Sequence, residues 1–133
     1  MLKKSLRYEM FELESCVRGQ HIYQELWEAV IGEELQCQRE RDNPTDIYAV
    51  AVRKGRTVVG HLPRRLSRLC ALFIRRGGSI HCSPAGKRRY SADLPQGGLE
   101  IPCILYFKGD AKEIKKVVKL HTVTKKKPES RKL

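Results

Sequence analysis

Ala49-Val50-Ala51-Val52-Arg53-Lys54-Gly55-Arg56-Thr57-Val58-Val59-Gly60-His61-Leu62-Pro63-Arg64 holds the start of every argument about this chain. Ala49–Val52 and Thr57–Val59 have the small and β-branched composition of half-buried strands. Arg53-Lys54-Gly55-Arg56 between them is a short polar loop with a glycine, so the two runs form a predicted hairpin. Pro63 then suits a first helical turn, where its missing N–H costs nothing. Leu66, Leu69, Cys70 and Phe73 follow at i, i+3, i+4 and i+7, one apolar helical face. Gly77-Gly78 ends that helix. Its opposite face carries Arg64, Arg65, Arg68, Arg75 and Arg76.

Outward from this core the pattern stays mainly β. Phe11–Val17 and Glu34–Gln38 alternate apolar and polar with period two. Ser79–Cys82 and Leu99–Phe107 are further strands, and Pro102 inside the latter points to an edge or a bulge. A second helix starts at Asp110, with Glu113 as the partner of a capping box. Ile114, Val117 and Val118 form its predicted stripe. Trp27–Ile31 reads either as a loop or as one helical turn. The expected fold is mainly β with two helices, a small OB-like β-barrel whose closure removes exposed edges. An α+β sandwich is the competing architecture. The expected organisation is an N-terminal extension over 1–10, one barrel domain over 11–120, and a basic disordered tail over 121–133.

The chain has 133 residues, 41% of them hydrophobic, which suits one domain with one core. No run approaches the ~20 apolar residues of a membrane span, and no continuous apolar region follows the first residues as in a signal peptide. The five cysteines are widely spaced with no Cys-x-x-Cys, so neither a disulfide framework nor a zinc site is expected. Free thiols imply a reducing compartment, nuclear or cytoplasmic with the nucleus favoured, and not a secreted protein. The net charge is +12. Much of it lies from Lys112 onward, and a basic balance favours phosphate-rich partners through counterion release. The tail Lys125–Leu133 suits a localisation signal or a non-specific phosphate contact, and equally a merely solvated basic end.

Two segments carry unusual chemistry. Arg39, Glu40, Arg41, Asp42, Asn43 and Asp46 crowd a turn marked by Asn43-Pro44, and Asn and Asp side chains cap such turns themselves. A self-bonded charged loop would account for them. Gly60-His61-Leu62-Pro63-Arg64-Arg65 runs from a strand into a helix N-terminus, where free N–H groups and the macrodipole favour anions. His61, Arg64 and Arg65 there are either phosphate ligands or a capping residue and two solvated cations. Lys87–Gly98 reads as a long basic loop with one aromatic, Tyr90, either a binding loop or a solvated hairpin.

Taken in order, Gln38-Arg39-Glu40, Asn43-Pro44-Thr45-Asp46, Ala49–Val52 and Val59-Gly60-His61-Leu62-Pro63-Arg64 resemble the HIRAN domain, a module of helicase-like transcription factors. The resemblance covers roughly Glu14 to Tyr106. It implies an OB-like barrel that binds single-stranded DNA at a free 3′ end. Asn43 and Asp46 would then meet the hydroxyl and sugar, and His61 and Arg64 the phosphate. Arg18 matches a basic residue that precedes stacking aromatics in the family, with His21 and Tyr23 as their loose counterparts. Arg39, Tyr48 and Arg65 complete the expected site. Thr45 departs from the pattern, because an aromatic stands there in the family motif. No Gly-x-x-x-x-Gly-Lys-[Ser/Thr] loop is present, so no motor activity carries over.

The expectation is a DNA-binding module that is not an enzyme and has no cofactor or metal. A protein-interaction domain on the same barrel is the alternative. A metal-dependent nuclease built on Glu40, Asp42 and Asp46 is a further one.

Overall fold

The computed structural model describes residues 8–19, 29–90 and 98–130, with side chains as far as Thr122. The expected strands form: β1 (Tyr8–Arg18), β2 (Leu35–Arg39), β3 (Val50–Lys54), β4 (Thr57–His61), β5 (Ser79–Pro84), β6 (Arg89–Tyr90) and β7 (Leu99–Asp110). The helices are α1 (Arg64–Arg75) and α2 (Ala111–Ser130). All pairings are antiparallel, in the order β1-β4-β3-β2-β5-β7, and β7 returns to β1 to close a six-stranded barrel. β6 hangs outside it on β7.

The closure is uneven. Along β1, Tyr8 through Arg18 all register against Asp110 through Glu100 of β7. On its other side β1 meets β4 at one pair only, Arg18 with His61. Gly60 makes that approach possible. A Cβ there would lie 2.5 Å from Val17 Cγ1 and 2.8 Å from the Arg18 carbonyl oxygen.

Of the edge or bulge that its sequence suggested, Pro102 is not at an edge, because β7 is paired along both sides. The ladder on one side passes from β5, which ends at Pro84 opposite Cys103, to β6, which begins opposite Glu100. Pro102 falls in this break. Its carbonyl accepts from Ala85 N–H at 2.8 Å, so its missing N–H also faces the break and no ladder bond is lost.

The core gathers Leu13, Val17, Leu35, Val50, Val52, Val59, Ile80, Leu105 and Phe107 from the barrel. Leu66, Cys70 and Phe73 of α1 seal one end, with Phe73 edge-on to Phe107 at 5.3 Å. Gly77 at φ 98° stops α1 after its last turn. All five cysteines are free, and all but Cys37 are buried.

Three sequence expectations change. β1 begins at Tyr8, inside the expected 1–10 extension, since β7 runs to Asp110 and offers partners that far. Val118 is not in the α2 stripe, which instead uses Ile114, Val117 and His121, the last against Phe11 at 6.1 Å. The helical backbone of α2 continues to Ser130, past the start of the expected disordered tail at 121. Lysine is a good helix former, so a helix begun at the barrel is not stopped by its lysines. Ala29–Ile31 is not helical, while Trp27 lies outside the described residues. Among the described residues no helix is long and apolar enough to cross a membrane.

Candidate nucleic-acid interface

The two unusual segments meet. Both are anchored where the chain enters β3: Glu40 N–H donates to the Ala49 carbonyl at 2.9 Å, and Leu62 N–H to the Val50 carbonyl at 3.0 Å. The strip Ala49-Val50 therefore holds the β2–β3 loop on one side and the β4–α1 junction on the other. Between them opens a pocket of about 280 Å³, lined by Asn43, Thr45, Asp46, His61, Leu62, Arg64 and Ser67 among others. That is near the lower end of small-molecule sites, ~300 Å³.

Three loop side chains, those of Glu40, Asn43 and Asp46, have structural partners. Asn43 Oδ1 accepts from Thr45 N–H at 2.9 Å and Asp46 N–H at 3.1 Å, which forms the turn. Asp46 Oδ1 accepts from Tyr48 N–H at 2.9 Å. Asp46 Oδ2 has no hydrogen-bond partner among the described residues. One oxygen of Glu40 joins the two halves of the site, meeting Asn43 Nδ2 at 3.1 Å and His61 Nε2 at 2.8 Å. Partial burial alone would push the Glu40 carboxyl up. The Asn43 amide, the His61 ring and Arg53 outweigh it and hold the group below the ordinary glutamate range.

From the helix side, Arg64 Nη2 donates to the Thr45 carbonyl at 2.9 Å. The N-terminus of α1 has no side-chain cap and no acid in its first turn. Its partial positive charge and free N–H groups therefore remain at the pocket mouth.

The other expected residues are elsewhere. Arg18 and Arg65 line a larger groove of about 620 Å³ with Glu14, Ser15, Cys16, Arg89, Tyr90 and Glu100. The reason for the split is helical: Arg65 lies about 100° around α1 from Arg64. The Arg18–His61 pair places these two side chains on one face of the sheet, so groove and pocket adjoin at the seam. In the groove the buried Glu100 carboxylate pairs with Arg18 Nε at 3.4 Å and Arg89 Nε at 2.9 Å, and it accepts from Cys16 Sγ at 3.3 Å. Arg39 lines another hollow of about 210 Å³ with Arg41, Asp42 and Arg53, and its buried Nε has no hydrogen-bond partner among the described residues. Tyr48 is half-buried against the core, and the Arg68 guanidinium stands 5.7 Å from its ring centre. His21 and Tyr23 lie outside the described residues.

Sequence reasoning flagged Arg89 and Tyr90 only as part of a basic loop. Glu100, which organises that groove, gave no signal, because a lone glutamate in a strand reads as an outward residue. Thr45 and Ser67 are pocket residues that were likewise not singled out for contact. Among the described residues no three His, Cys, Asp or Glu side chains are grouped so as to hold a metal ion. Burial, with Cys70 and Cys103 nearby, pushes the Cys37 thiol well above its ordinary value, so it stays protonated.

The HIRAN domain family matches residues 10–103. This chain belongs to the HIRAN domain family. Solved structures place it with the same fold. The crystal structure of the HIRAN domain of human HLTF superposes with a TM-score of 0.63 at 22% identity, over 83% of this chain and 86% of that one. The NMR structure of the HLTF HIRAN domain in its DNA-bound conformation gives 0.62 at 22%, over 88% and 91%. A protein from Lactobacillus plantarum gives 0.50 at 17%, over 75% and 98%. No curated protein sequence matches the chain. Within the HIRAN match lie both walls of the small pocket and the β1 arginine of the groove.

Proposed function

We propose that this chain is a DNA-binding module, not an enzyme, that takes the 3′ end of a single strand in the pocket between the β2–β3 loop and the start of α1. One observation carries the reading: Asn43 and Asp46 from the loop share that pocket with His61 and Arg64 from the β4–α1 junction. A strand end combines a hydroxyl donor with a phosphate anion. The pocket offers an acceptor with an open oxygen on one wall, and a cation, an imidazole and an uncapped helix N-terminus on the other. These groups are complementary to the hydroxyl and the phosphate of a terminal nucleotide. Membership of the HIRAN family and the DNA-bound form of the HLTF domain support a DNA ligand. The reading places the module in the nucleus or the cytoplasm, the nucleus preferred, and a fluorescent fusion excluded from nuclei would count against that preference.

Base stacking is not part of this proposal. Thr45 uses its N–H on Asn43 and its carbonyl on Arg64, and Tyr48 is tucked against the core. The end is held here through sugar and phosphate. The same missing ring is what favours the second reading, a protein-interaction barrel.

Fluorescence anisotropy with oligonucleotides that differ only in a free or blocked 3′-hydroxyl separates the two. The free end should bind more tightly, binding should weaken with salt, and Asp46→Ala should abolish the preference. Equal binding of free and blocked ends, in a protein that melts normally, removes the end-binding reading. No binding of any oligonucleotide at low salt favours the protein-interaction domain.

A further inference from the structure

The arginines of α1 form an ordered line. At 3.6 residues per turn, Arg64, Arg68 and Arg75 fall within about 40° of one another on the helix surface. Eleven residues at a rise of ~1.5 Å set the first about 16 Å from the last. All three are exposed. The line starts at the pocket wall with Arg64 and ends at the C-terminus of the helix.

What holds these side chains distinguishes them from the arginines around Glu100 and Glu113. Arg64 rests on a neutral carbonyl, that of Thr45, at 2.9 Å. Arg68 rests on a neutral ring, that of Tyr48, at 5.7 Å. Among the described residues no carboxylate forms an ion pair with Arg64, Arg68 or Arg75. Their neighbours are tied to acids: Arg18 and Arg89 to Glu100, and Arg76 to Glu113 at 3.9 Å. A cation fixed by neutral groups is positioned without losing its field, whereas one fixed by a carboxylate is largely neutralised. The larger groove therefore has more volume, but the α1 ridge has more uncompensated charge.

We infer that Arg64, Arg68 and Arg75 form a phosphate track, along which a nucleic-acid strand runs once its end sits in the pocket. The inference rests on the end-binding reading above. The ridge follows the axis of α1, so it meets several successive phosphates of one strand, and it reads charge and spacing, not sequence. The module then has two separable functions. The pocket selects the end, and the ridge supplies affinity that grows with strand length.

The experiment is anisotropy titration of free-ended oligonucleotides, from dinucleotide to dodecanucleotide, at a series of salt concentrations. Wild-type affinity should rise with length. In Arg68→Gln/Arg75→Gln the rise should flatten, and the slope of log affinity against log salt for the longest strand should shrink by about 1.4, at ~0.7 per phosphate contact for single strands. Dinucleotide binding and the preference for a free 3′-hydroxyl should persist. Arg68→Lys/Arg75→Lys keeps the charges and should keep the slope. Arg56→Gln, an exposed charge in the β3–β4 loop, should leave it unchanged. An unchanged slope in the glutamine pair overturns the track, as does an equal loss in Arg56→Gln or in the lysine pair. Displacement of long strands by polyglutamate, with no dependence on strand length, would assign the ridge to an acidic polypeptide and also overturn it. Equal wild-type binding of free and blocked ends is a different failure, that of the pocket.

Discussion

Replacing Gly60 by alanine tests the barrel seam most directly. The new methyl would lie 2.5 Å from Val17 Cγ1 and 2.8 Å from the Arg18 carbonyl oxygen. Neither can give way easily. Val17 is fully buried, so its side chain has no free rotamer to take. The Arg18 carbonyl belongs to a strand registered residue by residue on β7. β4 must therefore move outward, and the pair Arg18–His61, its one link to β1, must stretch or break. Overpacking of this kind costs about 1–3 kcal/mol, and loss of a backbone hydrogen bond adds about 1 kcal/mol. The expected destabilisation is roughly 2–4 kcal/mol. At ~3–5 °C per kcal/mol for a domain of this size, the Tm should fall by roughly 10 °C. Urea unfolding followed by circular dichroism gives the free energy, and a thermal scan gives the Tm. Gly55→Ala is the comparison: φ there is 61° but no atom lies within 4 Å of a new methyl, so only backbone strain of about 1 kcal/mol is expected. If Gly60→Ala costs no more than Gly55→Ala, the seam is not closed through Gly60 and the reasoning is wrong.

Three further outcomes are expected. Glu100→Ala removes the carboxylate between Arg18, whose side chain is only 16% exposed, and Arg89. It should cost about 2–4 kcal/mol in urea because a buried carboxylate bridging two guanidinium groups is lost, and a loss below about half a kilocalorie would contradict that. Asn43→Ala deletes the acceptor of two loop N–H groups and the donor to Glu40, so stability should fall by about 1–2 kcal/mol; end preference unaltered by this change would detach the turn from the pocket. Glu40 is held below its ordinary range, so its ionised form stabilises the fold. That contribution is complete above the ordinary glutamate value of ~4.3 and is lost as the pH falls through the depressed value. Glu40→Gln should flatten this part of the acid limb of a stability–pH profile, and an identical limb in the variant would refute the link.

Local structure was largely legible in the sequence. Period-two alternation gave the inner face of β1, and the spacing of Leu66, Cys70 and Phe73 gave the buried face of α1, because burial imposes those periods directly. Closure was less legible. Nothing near Gly60 says that its partner is Val17, more than forty residues earlier, since a glycine kept for close approach looks like one kept for a turn. The candidate site divides similarly. Asn43, Asp46, His61 and Arg64 came together as their order implied. Arg65 was grouped with Arg64 by adjacency, yet one residue of helix rotation sends it to the neighbouring groove. Glu100 was invisible because a strand residue on an outer face is ordinarily solvated, and only the packing of β1 and β6 beside it makes it buried.

The proline break in β7 has a consequence for anyone who would alter this protein. β6 touches β7 at Arg89 and Tyr90 only, beyond the point where Pro102 interrupts the ladder. The barrel ladder is complete without it. The stretch around β6 is therefore a natural graft site: new recognition loops can be installed beside the groove while the strands that shape the pocket keep their register, provided that Ala85 stays on the Pro102 carbonyl and a cation is kept opposite Glu100 in the place of Arg89.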